Sequence, residues 1–293
     1  MPILSSELCA IIVAFNPCYE RLHNLALKLQ ESNCDVIIID NSPTSDAFFN
    51  DKFFTYVWMQ GNKGIAEAQN VGINYSLSHG YNYTIFFDQD SVIDTDFIRC
   101  LLEPMKANNY KICAPVFFDE KKGFEYAITH VDKNGRRTKL YSKDKNHSFV
   151  SSVVISSGTL VKNEVFKIVG LMDSGLFIDY VDTEWCLRCF YNDILVNIIP
   201  EARMKHSIGD NSFNIFGFCV PVHSPTRRYY RIRNSFHLLR YKHVPKLLAL
   251  REIIFSFVHS MLIIVFQQQK SAYIKTFFAG VKDGIMNVRG VKK

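Results

Sequence analysis

Short, wholly apolar runs alternate with longer amphipathic stretches through the first part of the chain. Cys9-Ala-Ile-Ile-Val-Ala-Phe15 carries no polar side chain able to face water and stops at Asn16-Pro17. A run that is apolar at every position suits a strand buried on both faces, as in the middle of a parallel sheet. Residues 19–32 place Leu22, Leu25 and Leu29 at helical spacing. Asp35-Val-Ile-Ile-Ile-Asp40 predicts a second buried strand, closed by the turn formers Asn41-Ser42-Pro43. Phe54 to Trp58 predicts a third. Gly61 to Ser78 reads as a glycine-containing loop leading into a helix, and Tyr83-Thr-Ile-Phe-Phe87 as a strand ending in Asp88-Gln89-Asp90. Alternating strands and helices predict an α/β fold with a parallel or mixed sheet covered on both faces. Ligands in such sheets bind beyond the carboxyl ends of the strands. Asn16, Asp40 and Asp88–Asp90 all fall there.

Beyond Asp119 the pattern loosens. Residues 119–147 are charged and turn-rich and predict a hairpin or surface excursion. Val153–Ile155 and Thr159–Val161 predict strands around a Ser156-Ser157-Gly158 turn. Glu164–Val169 and Asp182–Tyr191 predict helices, and Leu195–Ile199 a strand ended by Pro200. Neither an internal repeat nor a low-complexity tract is present.

Composition sharpens this picture in a few places. Hydrophobic residues at 48% and charged residues at 21% fit a folded globular chain. The 24 Phe and 14 Tyr suggest an apolar surface to be hidden on a membrane or in a partner. A net charge of +6 does not by itself point to nucleic acid. Its placement matters more, because Arg227, Arg228, Arg231, Arg233, Arg240, Lys242 and Lys246 follow one another with no acid between them. Such a segment can meet phosphate groups. The eight scattered cysteines read as buried thiols in a reducing compartment, and Cys186-Leu-Arg-Cys189 has no second pair to complete a zinc site. The N-terminus shows no signal-peptide pattern, so secretion is not expected. The apolar run Ile253–Phe266 is shorter than the roughly 18–20 residues of a spanning helix, contains Ser256, His259 and Ser260, and does not read as a membrane span.

Asp88-Gln89-Asp90 sets two carboxylates just past a strand, where Mg²⁺ or Mn²⁺ can share them with substrate phosphates. A solvated strand-end turn is the plainer reading. Asp40 suits either a contact to a nucleobase or ribose, or an Asx-type turn satisfying local backbone. Asn62-x-Gly64-x-Ala66-x-Ala68-x-Asn70-x-Gly72 has small residues that let backbone approach a ligand or a neighbouring element closely. It has neither the P-loop ending nor the dinucleotide glycine pattern. Asp179, Asp182 and Glu184 lie beside aromatics, with Asp182 placed to cap a helix and also to act as a general base. His206 is either a third metal ligand or a surface histidine.

In this order the pieces resemble the inverting glycosyltransferases of family 2, and within them a bacterial rhamnosyltransferase-like group. The matching residues are the strand ending at Asn16, Ile39-Asp40-Asn41-Ser42, the Asn62–Gly72 pattern, Phe87-Asp88-Gln89-Asp90-Ser91, Asp182-x-Glu184-x-x-Leu187-Arg188, His206 and Arg228-Tyr-Tyr-Arg-Ile-Arg-Asn234. The resemblance implies a GT-A nucleotide-sugar-binding fold, a mixed central sheet flanked by helices. It would occupy residues 1–215, with a donor half over 1–115 and an acceptor half over 116–215. A helical, basic and aromatic extension would follow over 216–293.

The resemblance also implies the site. Asn16, Asp40, Asn41, Asn62, Gly64, Asp88 and Gln89 would line the donor nucleotide. Asp88, Asp90 and His206 would hold Mg²⁺ or Mn²⁺, and Arg228, Arg231 and Asn234 would meet the diphosphate or acceptor. Asp182 matches the catalytic base, although Val181-Asp182 replaces a Glu-Asp pair and leaves Asp179 and Glu184 as alternatives. The implied donor is a nucleotide sugar, dTDP-L-rhamnose before its UDP or GDP counterparts. The implied acceptor is a lipid-linked O-antigen-type oligosaccharide on the cytoplasmic face of the inner membrane. The run to Phe266 would then rest on that leaflet, or else form a core or homodimer helix. A catalytically silent sugar-binding module and a nucleotidyltransferase are the rivals. The pair Asp88/Asp90 with Asp182 argues against the first, and the absence of a glycine-rich basic loop after the first strand against the second. Acidic strand ends make nucleic acid a poor partner.

Overall fold

A computed structural model describes residues 6–45, 54–119, 123–145, 147–206, 211–215 and 218–292, with only the backbone of His206, 211–215 and 218–221. In chain order the elements are β1 (Leu8–Ala14), α1 (Tyr19–Glu31), β2 (Asp35–Asp40), β3 (Thr55–Trp58), α2 (Ile65–Ser78), β4 (Tyr83–Asp88), β5 (Val92–Ile93), α3 (Phe97–Ala107) and β6 (Ile112–Asp119). There follow β7 (Ile128–Val131), β8 (Arg137–Leu140), β9 (Phe149–Ser151), β10 (Leu160–Lys162), α4 (Glu164–Val169), α5 (Val181–Tyr191) and β11 (Val196–His206). The chain ends in β12 (Asn211–Ile215), β13 (Phe218–Val222), α6 (Pro225–Leu238), α7 (Lys246–Phe266) and α8 (Lys270–Ile285).

The main sheet is mixed and runs β3-β2-β1-β4-β10-β6-β11-β5, with β9 also on β11. Strands β3, β2, β1 and β4 are parallel. β10 then runs against both β4 and β6, and β6 and β11 are parallel. Because side chains alternate between faces of a strand, the apolar runs feed two cores at once. Ala10 and Ile12 pack with Leu22, Leu25, Phe97 and Leu101 of α1 and α3. Ile11 and Ile37 pack on the opposite face with Ala66, Ile73, Phe166 and Trp185 of α2, α4 and α5. A side chain at Gly72 would come within 2.6 Å of Ile11, so its hydrogen is what lets α2 lie close on β1. Each such buried aliphatic side chain contributes about 1.5–3 kcal/mol, so this double layer is the main stabiliser of the fold.

Several expected elements shift. Val153–Ile155 is not a strand, and β9 lies just before it at Phe149–Ser151. β11 does not stop at Pro200 but runs on to His206, with a register shift between Ile199 and Arg203. Proline lacks the N–H that a regular ladder requires, and an irregularity absorbs it. β12 and β13 pair as an antiparallel hairpin, and the C-terminal helices begin at Pro225. The run Ile253–Phe266 is the larger part of the 21-residue α7, which by length and composition alone is long and apolar enough to cross a membrane.

Candidate active site

The strand ends converge on a tightly cross-braced rim. Phe15 N–H donates to Gln89 Oε1 (2.6 Å), and Gln89 Nε2 donates back to Phe15 O (3.2 Å), so this amide clasps the ends of β1 and β4. Asn16, at φ 46°, donates its backbone N–H to Ser42 Oγ (2.8 Å) and leaves its side chain exposed. Asp40 is fully buried. Its Oδ1 accepts from Ser42 N–H (2.8 Å) and Ser42 O–H (2.5 Å), and its Oδ2 from Tyr56 O–H (2.6 Å). These bonds fit the turn reading of Asp40, whose carboxylate ties Ser42 and Tyr56 to the end of β2.

Asn41 is likewise occupied. Its Nδ2 donates to Gly64 O (3.0 Å) and its Oδ1 accepts from Lys63 N–H (3.1 Å). Asn62 is exposed and uses its Oδ1 to cap Gly64 N–H (2.9 Å). Gly64, at φ 90°, is buried under Phe177, whose ring and carbonyl would lie 2.6 Å from any added Cβ. Its small size lets the backbone of Phe177 pack directly against it. Ile65 N–H donates to Phe177 O (2.8 Å), and Asn70 exchanges two 2.9 Å hydrogen bonds with the backbone of Met172. In this way the donor-side motif is buttoned to the segment that precedes α5.

That segment is strained. Phe177, Asp179 and Tyr180 all have positive φ, a conformation costly for residues with side chains unless neighbours hold it. Arg233 and Asn234 of α6 supply the hold. Arg233 donates to Gly175 O and Leu176 O, and Asn234 Nδ2 reaches Leu176 O (2.8 Å), Ile178 O (2.8 Å) and Asp179 O (3.1 Å). Asn234 is fully buried in this role, so the expected diphosphate or acceptor contact is corrected to a loop clamp. Arg228 is corrected too. It is 2% exposed and donates to Ser256 O (3.1 Å) and Ser260 Oγ (2.8 Å), which points it into the α6–α7 interface.

Three acids were open as the base, and their partners separate them. Asp179 sits between Arg227 Nε (3.4 Å) and Arg231 Nη1 (3.5 Å). Glu184 is buried and paired with Arg188 (2.7 Å), and His243 Nε2 lies 2.8 Å from its carboxylate. Asp182 is half-buried and in no ion pair among the described residues, and it accepts hydrogen bonds from Ser156, whose Oγ in turn accepts from Gln69 Nε2 (2.8 Å). It lies in the first turn of α5, two residues past Tyr180, which holds the cap position expected for Asp182. Burial first, and the charge of Asp88 second, push its carboxyl up to about 6. An apolar cavity of about 180 Å³, walled by Phe117, Ile128, Val153, Val154 and Ile155, opens beside it.

Asp88 ends β4 and is half-buried, and Asp90 follows in the turn and is exposed. Burial and then the charge of Asp90 push Asp88 up to about 6, while Arg227 lowers it. Two crowded carboxylates offset by one arginine fit a hard divalent cation, which needs only one or two carboxylates when phosphates complete its shell. No trio of His, Cys, Asp and Glu ligands is assembled among the described residues. The side chain of His206, the expected further ligand, lies outside the description.

Arg227, Ser156 and Gln69 were not singled out as site residues from the sequence. Arg227 and Arg231 sit four apart on α6 and share a face toward Asp179, whereas Arg228 and Asn234 turn inward. Helical spacing within the basic segment carried that distinction.

The model of the family described as Glycosyl transferase family 2 matches residues 9–167. The chain is 48% identical over 290 residues to the dTDP-rhamnosyl transferase RfbF of Shigella flexneri, covering 98% of both chains. It is 21% identical over 222 residues to the low-salt glycan biosynthesis hexosyltransferase Agl10 of Haloferax volcanii, covering 71% of each. Among solved structures it superposes on S. aureus TarS with a TM-score of 0.60 at 13% identity, over 96% of this chain and 49% of that one. The corresponding figures for GalNAc-T7 with UDP, GalNAc and Mn²⁺ are 0.56 and 13%, over 88% and 57%. Likeness at such low identity speaks for the fold alone, which is the GT-A arrangement expected from the sequence.

Proposed function

The chain belongs to glycosyl transferase family 2 and is a glycosyltransferase, and on that footing we propose that it moves L-rhamnose from dTDP-L-rhamnose to a hydroxyl of a lipid-linked cell-surface saccharide. One observation carries the assignment of chemistry. Of the three acids near α5, only Asp182 is free of an arginine or histidine partner among the described residues, and it borders both the cavity and the Asp88 carboxylate. The donor rests on the relative of nearly equal length whose name gives dTDP-rhamnose.

In this reading Asp182 takes the proton of the acceptor hydroxyl, whose oxygen attacks the anomeric carbon from the face opposite the nucleotide. The bond to the diphosphate breaks and the configuration inverts. Ser156, held by Gln69, orients the Asp182 carboxylate. Asp88 and Asp90 would hold Mg²⁺ or Mn²⁺, which when bound offsets charge on the departing diphosphate. Arg227, paired with Asp179 but near enough to Asp88 to lower its pKa, adds positive charge on the same side.

Calorimetry of the purified chain against dTDP-rhamnose, UDP-glucose, UDP-GlcNAc and GDP-mannose, with and without Mn²⁺, tests the donor. Thymidine-selective, metal-dependent binding that Asp90→Ala removes is expected. Selective binding of a UDP or GDP sugar would keep the transferase and overturn the rhamnose assignment.

A further inference from the structure

Helix α7 is amphipathic the wrong way round for a helix on the surface of a water-soluble body. Its buried positions include Glu252, Ser256 and Ser260. Its outward stripe is Leu247, Leu250, Ile254, Val258, Met261 and Val265, between 50% and 67% exposed. These six recur at intervals of three and four, so they form one continuous face along the helix. Soluble monomers rarely leave contiguous apolar patches larger than a few hundred Å², and larger ones mark an interaction surface.

The charges around this face select its occupant. Residues 241–292 contain two acids, and both are turned to internal duties. Glu252 pairs with Arg137 (2.5 Å) and accepts from Tyr180 O–H (3.0 Å), and Asp283 accepts from Tyr229 O–H (2.6 Å). The exposed charges are basic. On α8, Lys270, Ile274, Phe278, Lys282 and Met286 follow at intervals of four, so exposed lysines and apolar side chains interleave on one face. Lysine stems lie along apolar surface while their ammonium groups reach phosphate, the pattern of a helix resting in a headgroup layer. A second copy is a poorer fit, because a two-fold interface would set this basic border against itself.

We infer that the outer face of α7, with the basic face of α8, docks the protein on an anionic lipid surface, α7 lying in the plane of the leaflet rather than crossing it. Crossing would strip Glu252 from Arg137 and Tyr180 and leave the buried Arg228 without Ser256 and Ser260, and unpaired buried charges are costly. The docked helix also reaches the reaction centre. Glu252 bonds Tyr180, two residues before Asp182, so docking holds the catalytic loop close to the membrane surface. The surface assignment does not depend on the identity of the donor.

Flotation of the full chain with phosphatidylcholine vesicles, and with vesicles that also contain phosphatidylglycerol, tests the inference. Binding to the anionic vesicles is expected to be about tenfold tighter or more, and to weaken with salt. Ile254→Glu with Val258→Glu should abolish flotation, and Lys270→Glu with Lys282→Glu should remove the preference for anionic lipid. Melting curves and donor calorimetry would confirm that these surface variants fold. Wild-type protein that floats with neither vesicle would overturn the proposal, as would unchanged flotation of either variant. A dimer in solution broken by the glutamates, with no vesicle binding, would assign the face to a second copy instead.

Discussion

Asp88, at the end of β4, and Asp182, in the first turn of α5, lie close enough that the charge of Asp88 raises the pKa of Asp182. The two carboxylates belong to distant parts of the sequence, and the clamp on the segment before α5 is what brings them together. Their proximity costs stability when both are ionised and gives the site a base poised near neutral pH.

A general base must be ionised to act, and the Asp182 carboxyl titrates at about 6. Turnover under saturating donor and metal is therefore expected to be flat above the Asp182 pKa and to fall about tenfold per unit below it, with the break under metal lying lower than about 6. A cation neutralising Asp88 would move the break to lower pH. Initial rates from pH 4.5 to 8.5 check this, and a rate that stayed level down to pH 4.5 would remove Asp182 as the base.

Because the folded-state pKa of Asp182 lies above the ordinary carboxylate value, its contribution to stability is fully present below the unfolded pKa and is lost as pH rises through about 6. Asp182→Asn is accordingly expected to raise the melting temperature at pH 7.5, with a smaller gain at pH 4. The same variant should lower turnover by about 10²–10⁴-fold. Differential scanning fluorimetry at the two pH values, alongside a transfer assay, reads both effects.

Glu184→Gln should behave in the opposite sense. Glu184 is buried between Arg188 and His243, and losing one partner of a buried pair costs about 3–5 kcal/mol. Turnover per folded molecule should stay near wild type, since this carboxylate touches no reacting group. Urea unfolding with activity normalised to folded protein distinguishes the two acids, and a catalytic loss without destabilisation would reverse their roles.

Gly64→Ala puts a methyl 2.6 Å from the Phe177 ring and carbonyl, at a φ of 90° that L residues rarely adopt. A loss of about 1–3 kcal/mol is expected from overpacking, and the strain adds to it. Because Phe177 precedes Asp182, turnover should fall more than donor affinity. Equal losses in both would place Gly64 in the donor pocket after all.

The order of strands and helices through β4 was legible because uninterrupted apolar runs have few alternatives to a doubly covered sheet. The paired acids after β4 were legible because the strand ends where the apolar run ends. Asp40, Asn41, Gly64, Gln89 and Asn234 were also legible as positions that matter, and the structure shows each of them bracing backbone at the strand ends or the loop before α5. A short polar side chain at a strand end looks the same in sequence whether it faces a ligand or ties down a neighbouring loop. In the structure Asp40 is closed by Ser42 and Tyr56, and Gln89 by Phe15. The extent of α7 was hidden for a related reason. Lys246, Arg251 and Glu252 break its apolar run, and only the partners of Glu252 reveal that this charge points inward.

The sequence by itself determined the fold class, the family and the few acids from which a base had to be chosen, because these follow from local periodicity and from residue types at strand ends. The tertiary structure supplies the ground on which Asp182 is proposed over Asp179 and Glu184, because the arginine partners of the other two come from α5 and α6, elements whose mutual approach no local pattern encodes. It also decided which face of α7 is buried. Helical spacing defines the faces of a helix, but the position of Arg228, Arg137 and Tyr180 around it determines which one turns toward the protein.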